Sequence, residues 1–207
     1  PGDFGGADLG HIVRTIAVEE IGRVSAAAAV ILQVQHLAIA PILDSGTAEQ
    51  KEKYLPPLVR GEKIATIAVT ESTGGSDVLG MQMTAAPDGD HYVLNGAKCF
   101  ISNHQVADVL VVIAKTGQGK RGLSAFVVEC NMPGFSWGRE ERKFGLRGQN
   151  IGEVILQDCR VPRSNLIGTE GDGLTSALKA IGEAGRSGMA AAALGIIRAC
   201  LDAAASY

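Results

Sequence analysis

An α+β chain of three parts is what the 207 residues predict: a helical opening, a middle β-barrel, and a closing helix. Three observations carry this. Apolar residues recur at helical spacing from Ala7 to Arg60. From Lys63 to about Ile167 they fall into short or alternating runs divided by turn residues. After GTEGDG the helical spacing returns in sequence rich in Ala, Gly, Leu and Ile. The parts are assigned to residues 1–62, 63–168 and 169–207.

In the first part, Ile12, Val13, Ile16 and Ile21 mark one apolar helix face. Pro41 and the cluster Asp44-Ser45-Gly46 predict the end of one helix. Thr47 with Gln50 three residues on forms a capping box that opens the next, TAEQKEKYLPPLV. In the second part seven runs, IATIAV, MQMTA, HYVLNG, KCFIS, VLVVIA, LSAFVV and EVILQD, are punctuated by PDGD and NMPG, the spacing of a sandwich or barrel. KTGQGKRG reads as an exposed hairpin loop and REERK, Arg139 to Lys143, as a solvated loop. In the third part Gly182, Gly185, Gly188 and Gly195 each cost about 1 kcal/mol of helix propensity relative to alanine. Close backbone packing is the expected compensation.

Composition narrows the function. Hydrophobic residues make up 46% of the chain and mean hydropathy is +0.16, enough for a sizeable core. A net charge of −3 and a pI near 5.8 offer no basic surface for phosphates, so nucleic acid is not expected as a partner. Cys99, Cys130, Cys159 and Cys200 form no C-x-x-C pair, and reduced thiols in a cytosol-like compartment fit best. His11, His36, His91 and His104 are scattered, and no metal site is expected. The most apolar run, Ser187 to Ile197, lies between Arg186 and Arg198 and falls short of the roughly 20 residues a bilayer requires, so no membrane segment is expected. The chain opens without methionine and stops within helical sequence, which suggests a segment of something longer.

Two stretches carry chemistry. VTESTGGSD, Val69 to Asp77, follows a strand and holds neither G-x-x-x-x-G-K-[ST] nor G-x-G-x-x-G. Gly74 and Gly75 let backbone N–H groups approach a ligand, and Thr70 and Ser76 supply hydroxyls. Taken alone it reads equally as a β-turn capped by Asp77. LNGAKCFISN, Leu94 to Asn103, places an Asn-Gly turn before a short run through Phe100, Ile101 and Ser102. Together the two resemble the acyl-CoA dehydrogenase family, whose motifs read T-E-x-x-x-G-S-D and N-G-x-K-x-[WF]-I-[ST]-N. FGG, EEIGRV, GTAEQKEKYLPPLVRGEK, GLRGQNIGEVILQDCRVPRSNLIG and the Gly-Leu helix leading to Arg186 extend the resemblance nearly end to end.

The resemblance implies a partial chain of that fold: part of the helical N-terminal domain, the whole middle barrel and the first helix of the C-terminal bundle. It implies FAD as cofactor and α,β-dehydrogenation of an acyl-CoA thioester to the trans-2-enoyl-CoA, as in fatty-acid β-oxidation. An electron-transfer flavoprotein is the implied acceptor and a homotetramer the implied assembly, in the cytoplasm or, in a eukaryote, the mitochondrial matrix. Carried onto this sequence, Ile67, Ala68, Val69 and Thr70 approach the flavin ring, and Gly75 and Ser76 meet the pyrophosphate. Phe100 lies beside the isoalloxazine, followed by Ile101, and Ser102 offers its hydroxyl to the N5 and O4 side. Ser76 also matches an acyl-CoA contact. Glu183 and Arg186 match positions near the pantetheine and the catalytic region, and Gln33 and Leu37 the end of the acyl pocket.

Each has a plainer alternative. Phe100 reads as barrel core, Gln33 and Leu37 as ordinary packing, Glu183 and Arg186 as solvated helix charges. Arg186 sits among small residues, where a charge is expected to be paired. The family's base is a glutamate, which in a minority of members immediately precedes the residue matching Arg186. Here Gly185 holds that place, and Glu183 is turned about 200° away on an α-helix. The base is therefore expected beyond Tyr207. Two further readings of the function stay open: an acyl-CoA oxidase-like or non-oxidising enzyme on the same scaffold, and a non-catalytic flavin- or CoA-binding scaffold.

Overall fold

A computed structural model describes residues 1–207, the side chain of Lys120 excepted. Three helices open the chain: α1 (Gly10–Val24), α2 (Ala26–Ser45) and α3 (Ala48–Val59). Ser25 caps α2 by accepting from Ala28 N–H at 3.3 Å. The capping box of α3 is present in both directions: Gln50 N–H donates to Thr47 Oγ1 at 3.2 Å, and Thr47 N–H to Gln50 Oε1 at 3.0 Å. Gln50 Nε2 then donates to the carbonyls of Ser164 and Leu166, tying the cap to the sheet. Helix α2 ends at Ser45, within the expected Asp44-Ser45-Gly46 cluster, but Pro41 itself does not end it. Pro41 is buried inside α2, and burial of Pro41 and Ile42 offsets the helical hydrogen bond that proline cannot make.

Eight strands follow: β1 (Ala65–Ala68), β2 (Thr84–Asp88), β3 (His91–Ser102), β4 (Val109–Lys115), β5 (Leu123–Glu129), β6 (Phe135–Glu140), β7 (Ile151–Pro162) and β8 (Leu166–Ile167). They form one sheet in the order β6-β7-β3-β2-β4-β5-β8, with β1 parallel to β4 off that path. HYVLNG and KCFIS are one twelve-residue strand rather than two, and Asn95-Gly96 is a bulge within it rather than a turn. Gly96 has φ of 144°, and a Cβ there would lie 2.8 Å from Met83 Cα, so glycine is required by both backbone and space. FSWGRE forms β6, which the alternation did not signal, and it takes in Arg139 and Glu140 from the predicted loop. The KTGQGKRG segment does join two antiparallel strands, β4 and β5.

The continuous apolar runs of β4 and β5 are explained by burial on both faces. Leu110, Val112, Ala114, Phe126 and Val128 point into the sheet's interior with Tyr92, Leu94, Val154 and Leu156. Val109, Val111, Ile113, Leu123, Ala125 and Val127 point the other way, onto Ala38 and Ile42 of α2 and Tyr54, Leu55 and Leu58 of α3. The sheet curves back on itself. β3 pairs β2, β2 meets β4 at Thr84 and Lys115, β4 pairs β1, and the chain leaving β1 returns to β3 through Cys99 N–H donating to the Thr70 carbonyl at 2.9 Å. Thr70 thus closes a ring of strands.

The C-terminal segment is one helical run: α4 (Gly173–Ala180), a π-helical turn (Ile181–Gly185) and α5 (Arg186–Ser206). α5 packs on α1 and α2 with Ala191 and Ala192 against Val18 and Ala29. A Cβ on Gly195 would collide with the backbone of Glu19, Gly22 and Arg23 in α1, and one on Gly188 with Gln33 of α2. The expected close packing holds at these two glycines. It fails at Gly182, which has nothing within 4 Å. The face of α1 marked by Ile12, Val13 and Ile16 is exposed; α1 buries Val18 and Gly22 instead, because the close approach of α5 needs small residues. By length and composition two helical runs are long and apolar enough to cross a membrane, Ala26–Ser45 with mean hydropathy 1.8 and Gly173–Ser206 with 1.5. The run Ser187 to Ile197 is therefore part of a longer helix than its apolar core suggested, while α2 spends its apolar face on the protein core.

Alanine should act oppositely at two of these glycines. Gly182→Ala is expected to stabilise by up to about 1 kcal/mol through helix propensity. Gly195→Ala meets immovable backbone and is expected to destabilise by about 1–3 kcal/mol despite the same gain. Urea unfolding of the two variants measures both signs.

Candidate functional site

The residues between β1 and β2 and those ending β3 are brought together by a buried ion pair. The Lys98 side chain is 0% exposed, and its ammonium lies 2.9 Å from Glu71 Oε1. It also donates to the Val69 carbonyl at 3.0 Å, with Met81 Sδ at 3.6 Å, so three partners face its three donors. Glu71 in turn accepts from the backbone N–H groups of Gln82 at 2.5 Å and Met83 at 3.0 Å. Burial opposes the Glu71 charge, but these two amides and the Lys98 ammonium outweigh it and hold the carboxyl below its ordinary value. Burial likewise pulls the Lys98 ammonium below the usual lysine value, against the Glu71 charge.

Above this pair the loop is exposed and its donors are free. Among the described residues, the hydroxyls of Thr70, Ser76 and Ser102 and the backbone N–H groups of Thr70, Gly75 and Ser76 make no hydrogen bond to the chain. Gly75 lies over Thr70: a Cβ there would sit 3.4 Å from Thr70 Cγ2. Asp77 accepts from Gly80 N–H at 3.1 Å and caps a short 3-10 turn, so the plain turn reading of this stretch is also true. Phe100 is not barrel core. It is 61% exposed with φ of 59°, at the register shift between Lys98 and Ile101. An aromatic residue in left-handed backbone is strained by about 1 kcal/mol or more and turned into solvent, which favours a ligand contact over a packing role. Ile101 and Ala68 are buried in the sheet interior, so they face a ligand only through backbone. Ile67 and Val69 pack toward the helices.

A second cluster lies at the π-helical turn. Gln33 is buried, and its Nε2 donates to the Ala184 carbonyl at 2.5 Å. Arg14 donates to Gln33 Oε1 at 3.0 Å, to the same carbonyl at 3.2 Å and to Ser187 Oγ at 2.7 Å. A Cβ on Gly185 would meet Leu37 Cδ2 at 3.4 Å. Gln33 and Leu37 therefore do pack, and they pack on the one turn of this helix that departs from α geometry, a departure common at functional sites. Arg186 is exposed, and none of the ion pairs among the described residues includes it. Glu183 is exposed too, while Gly185 is buried. Sequence reasoning passed over three polar residues: Glu71 and Lys98, which lie inside the quoted motifs, and Arg14. A charge at a strand position whose alternation points inward was the available signal for Lys98.

Residues 66–159 match the model of the acyl-CoA dehydrogenase middle domain, and residues 1–62 that of the N-terminal domain. The chain belongs to the acyl-CoA dehydrogenase family. It is 44% identical over 211 residues to an acyl-CoA dehydrogenase of Bacillus subtilis, covering 100% of this chain and 55% of that protein. A solved chain described under the electron-transferring flavoprotein of Acidaminococcus fermentans superposes with a TM-score of 0.97 at 41% identity, over 100% of this chain and 55% of that one. An acyl-CoA dehydrogenase of Bacillus anthracis, solved in complex with FAD, superposes with a TM-score of 0.88 at 37% identity, over 94% and 34%. The chain thus spans about half the length of the Bacillus subtilis relative.

The ion pair sets a pH dependence. Because the folded-state pKa of Glu71 lies below its ordinary value of 4.5, its contribution is complete at neutral pH and is lost as pH falls through the folded value. Glu71→Gln should cost about 3–5 kcal/mol at pH 7. That difference from wild type should shrink as unfolding is measured at successively lower pH beneath 4.5.

Proposed function

We propose that this chain is the flavin-binding part of an FAD-dependent acyl-CoA dehydrogenase that converts an acyl-CoA thioester to the trans-2-enoyl-CoA. What carries the reading is the set of donors without chain partners at Thr70, Gly75 and Ser76 on the loop after β1 and at Ser102 on β3, two residues past an exposed, strained Phe100. These residues fit FAD. Hydroxyls and free amides suit the polar edge of the ring and an anionic pyrophosphate, and Gly74 and Gly75 leave room for close approach of the backbone. An aromatic face turned outward suits a planar ring. When bound, FAD supplies a hydride acceptor, which no side chain of the chain can be.

The chain's own residues have separable tasks. Thr70 and Ser102 offer donors to the ring edge where negative charge develops; fixed dipoles do this without reorganising. Gly75 and Ser76 hold the pyrophosphate, and Ser76 also meets acyl-CoA. Val69 and Ile67, with Ala68 and Ile101 through their backbone, shape the ring's bed. Gln33 and Leu37, pinned to the π-helical turn, bound the acyl end, and Glu183 and Arg186 lie toward the pantetheine. Gly185, which holds the place before Arg186, carries no side chain and cannot act as the base. The electron acceptor is an electron-transfer flavoprotein, the assembly a homotetramer, and the compartment the cytoplasm or a mitochondrial matrix.

Purified intact protein is expected to be yellow, to hold FAD, and to bleach anaerobically on addition of one among a panel of acyl-CoAs. A colourless protein that refuses added FAD would end the proposal, and rapid peroxide formation with dye reduction absent would turn it toward an oxidase. Ser102→Ala is expected to slow flavin reduction about 10- to 100-fold while leaving acyl-CoA binding within about threefold. Stopped-flow reduction at the wild-type rate would remove Ser102 from that role.

A further inference from the structure

Resting on the FAD reading above, we propose that Lys98 and Glu71 are positioning residues for the flavin: the pair sets the orientation of the Val69–Thr70 backbone against which the ring lies. Neither is exposed, so neither touches the cofactor directly. Their action is through the main chain. Lys98 Nζ takes the Val69 carbonyl at 3.0 Å, and Cys99 N–H, the next residue of the same strand, takes the Thr70 carbonyl at 2.9 Å. Two consecutive carbonyls are thereby drawn toward β3, and the N–H and hydroxyl of Thr70 are left for a ligand. Both contacts come from residues immediately before Phe100, so one five-residue segment, Lys98 to Ser102, supplies the anchors on its buried side and the ring contacts on its exposed side.

Glu71 has a matching task on the loop. It satisfies Gln82 and Met83 N–H at 2.5 and 3.0 Å, and its own backbone forms the Glu71–Gly74 bridge, with Gly74 N–H donating to the Glu71 carbonyl at 3.1 Å. That bridge starts the turn that carries Gly75 and Ser76. A purely structural reason for the pair is weak, because replacing a buried ion pair by neutral groups of similar shape is often neutral or stabilising. Retention of two charges at full burial is explained if what they supply is the direction of the backbone rather than stability.

The test separates the two. In the intact protein, Lys98→Met with Glu71→Gln together removes both charges and keeps shape, and Glu71→Asp keeps both charges while drawing the carboxylate back by one methylene. The control pair is Lys53→Met with Glu129→Gln, which removes the 2.7 Å contact on the helical side of the sheet. Melting temperature reports the fold, fluorescence titration with FAD the affinity, and the long-wavelength absorption band of bound FAD the ring environment. The proposal expects the Lys98/Glu71 double variant to stay folded, bind FAD at least about tenfold more weakly and shift the band, while the control leaves affinity and band as in wild type. A folded double variant with wild-type affinity and band overturns it. If the double variant does not fold, the same readings on Glu71→Asp decide by the same criterion. Wild-type protein that binds no FAD would instead defeat the FAD reading, an outcome visible before any variant is made.

Discussion

The buried contact between Lys98 and Glu71 is the constraint on which the site depends. A charge removed from water is costly unless fully partnered, and here every donor of the ammonium and both carboxylate oxygens are engaged. That demand fixes the geometry: Glu71 reaches Lys98 only if the segment after β1 turns back across β3, which is also what closes the ring of strands at Thr70 and Cys99. Fold closure and ligand loop are one event. The glycines and hydroxyls downstream can then stay open to solvent, because the structure they hang from is already satisfied.

The helical parts serve this arrangement differently on the two sides. α2 and α3 cover the outer face of β1, β4 and β5, so the strand that launches the loop is held from both faces. On the far side α2 meets the π-helical turn through Gln33, with Arg14 reaching the same carbonyl from α1. A π-helical turn inserts a residue into the helical register, and its freed carbonyls need outside donors. Gln33 and Arg14 supply them, and this binds α1, α2 and α5 at one point near Leu37 and Gly185. The two clusters thus share α2 as a common beam.

Much of this was legible in the sequence, and the failures have physical causes. Thr47 and Gln50 declared the capping box because its partners lie three residues apart, and β4 and β5 were evident as unbroken apolar runs. Pro41 misled because proline usually ends a helix, and only the packing of its ring into the core shows why it does not. Asn95-Gly96 carries the strongest local turn signal, yet Met83 crowds Gly96 and forces a bulge within a continuous strand, a contact between strands that no window of sequence contains. Periodicity marked the apolar face of Ile12, Val13 and Ile16 but not what it faces, and the three are exposed. At the site, the motif residues were found but their roles were assigned to the exposed groups. The roles of Lys98 and Glu71 depend on a contact across 27 residues of sequence.

Amide hydrogen exchange of the protein tests the central claim most directly. If the ion pair organises the loop, the N–H groups of Gln82, Met83 and Cys99 exchange only on near-global unfolding, while those of Thr70, Gly75 and Ser76 exchange freely until FAD is added. Exchange of Gln82 and Met83 as fast as that of Ser76 would contradict it, since a carboxylate that does not hold those two amides cannot be holding the loop.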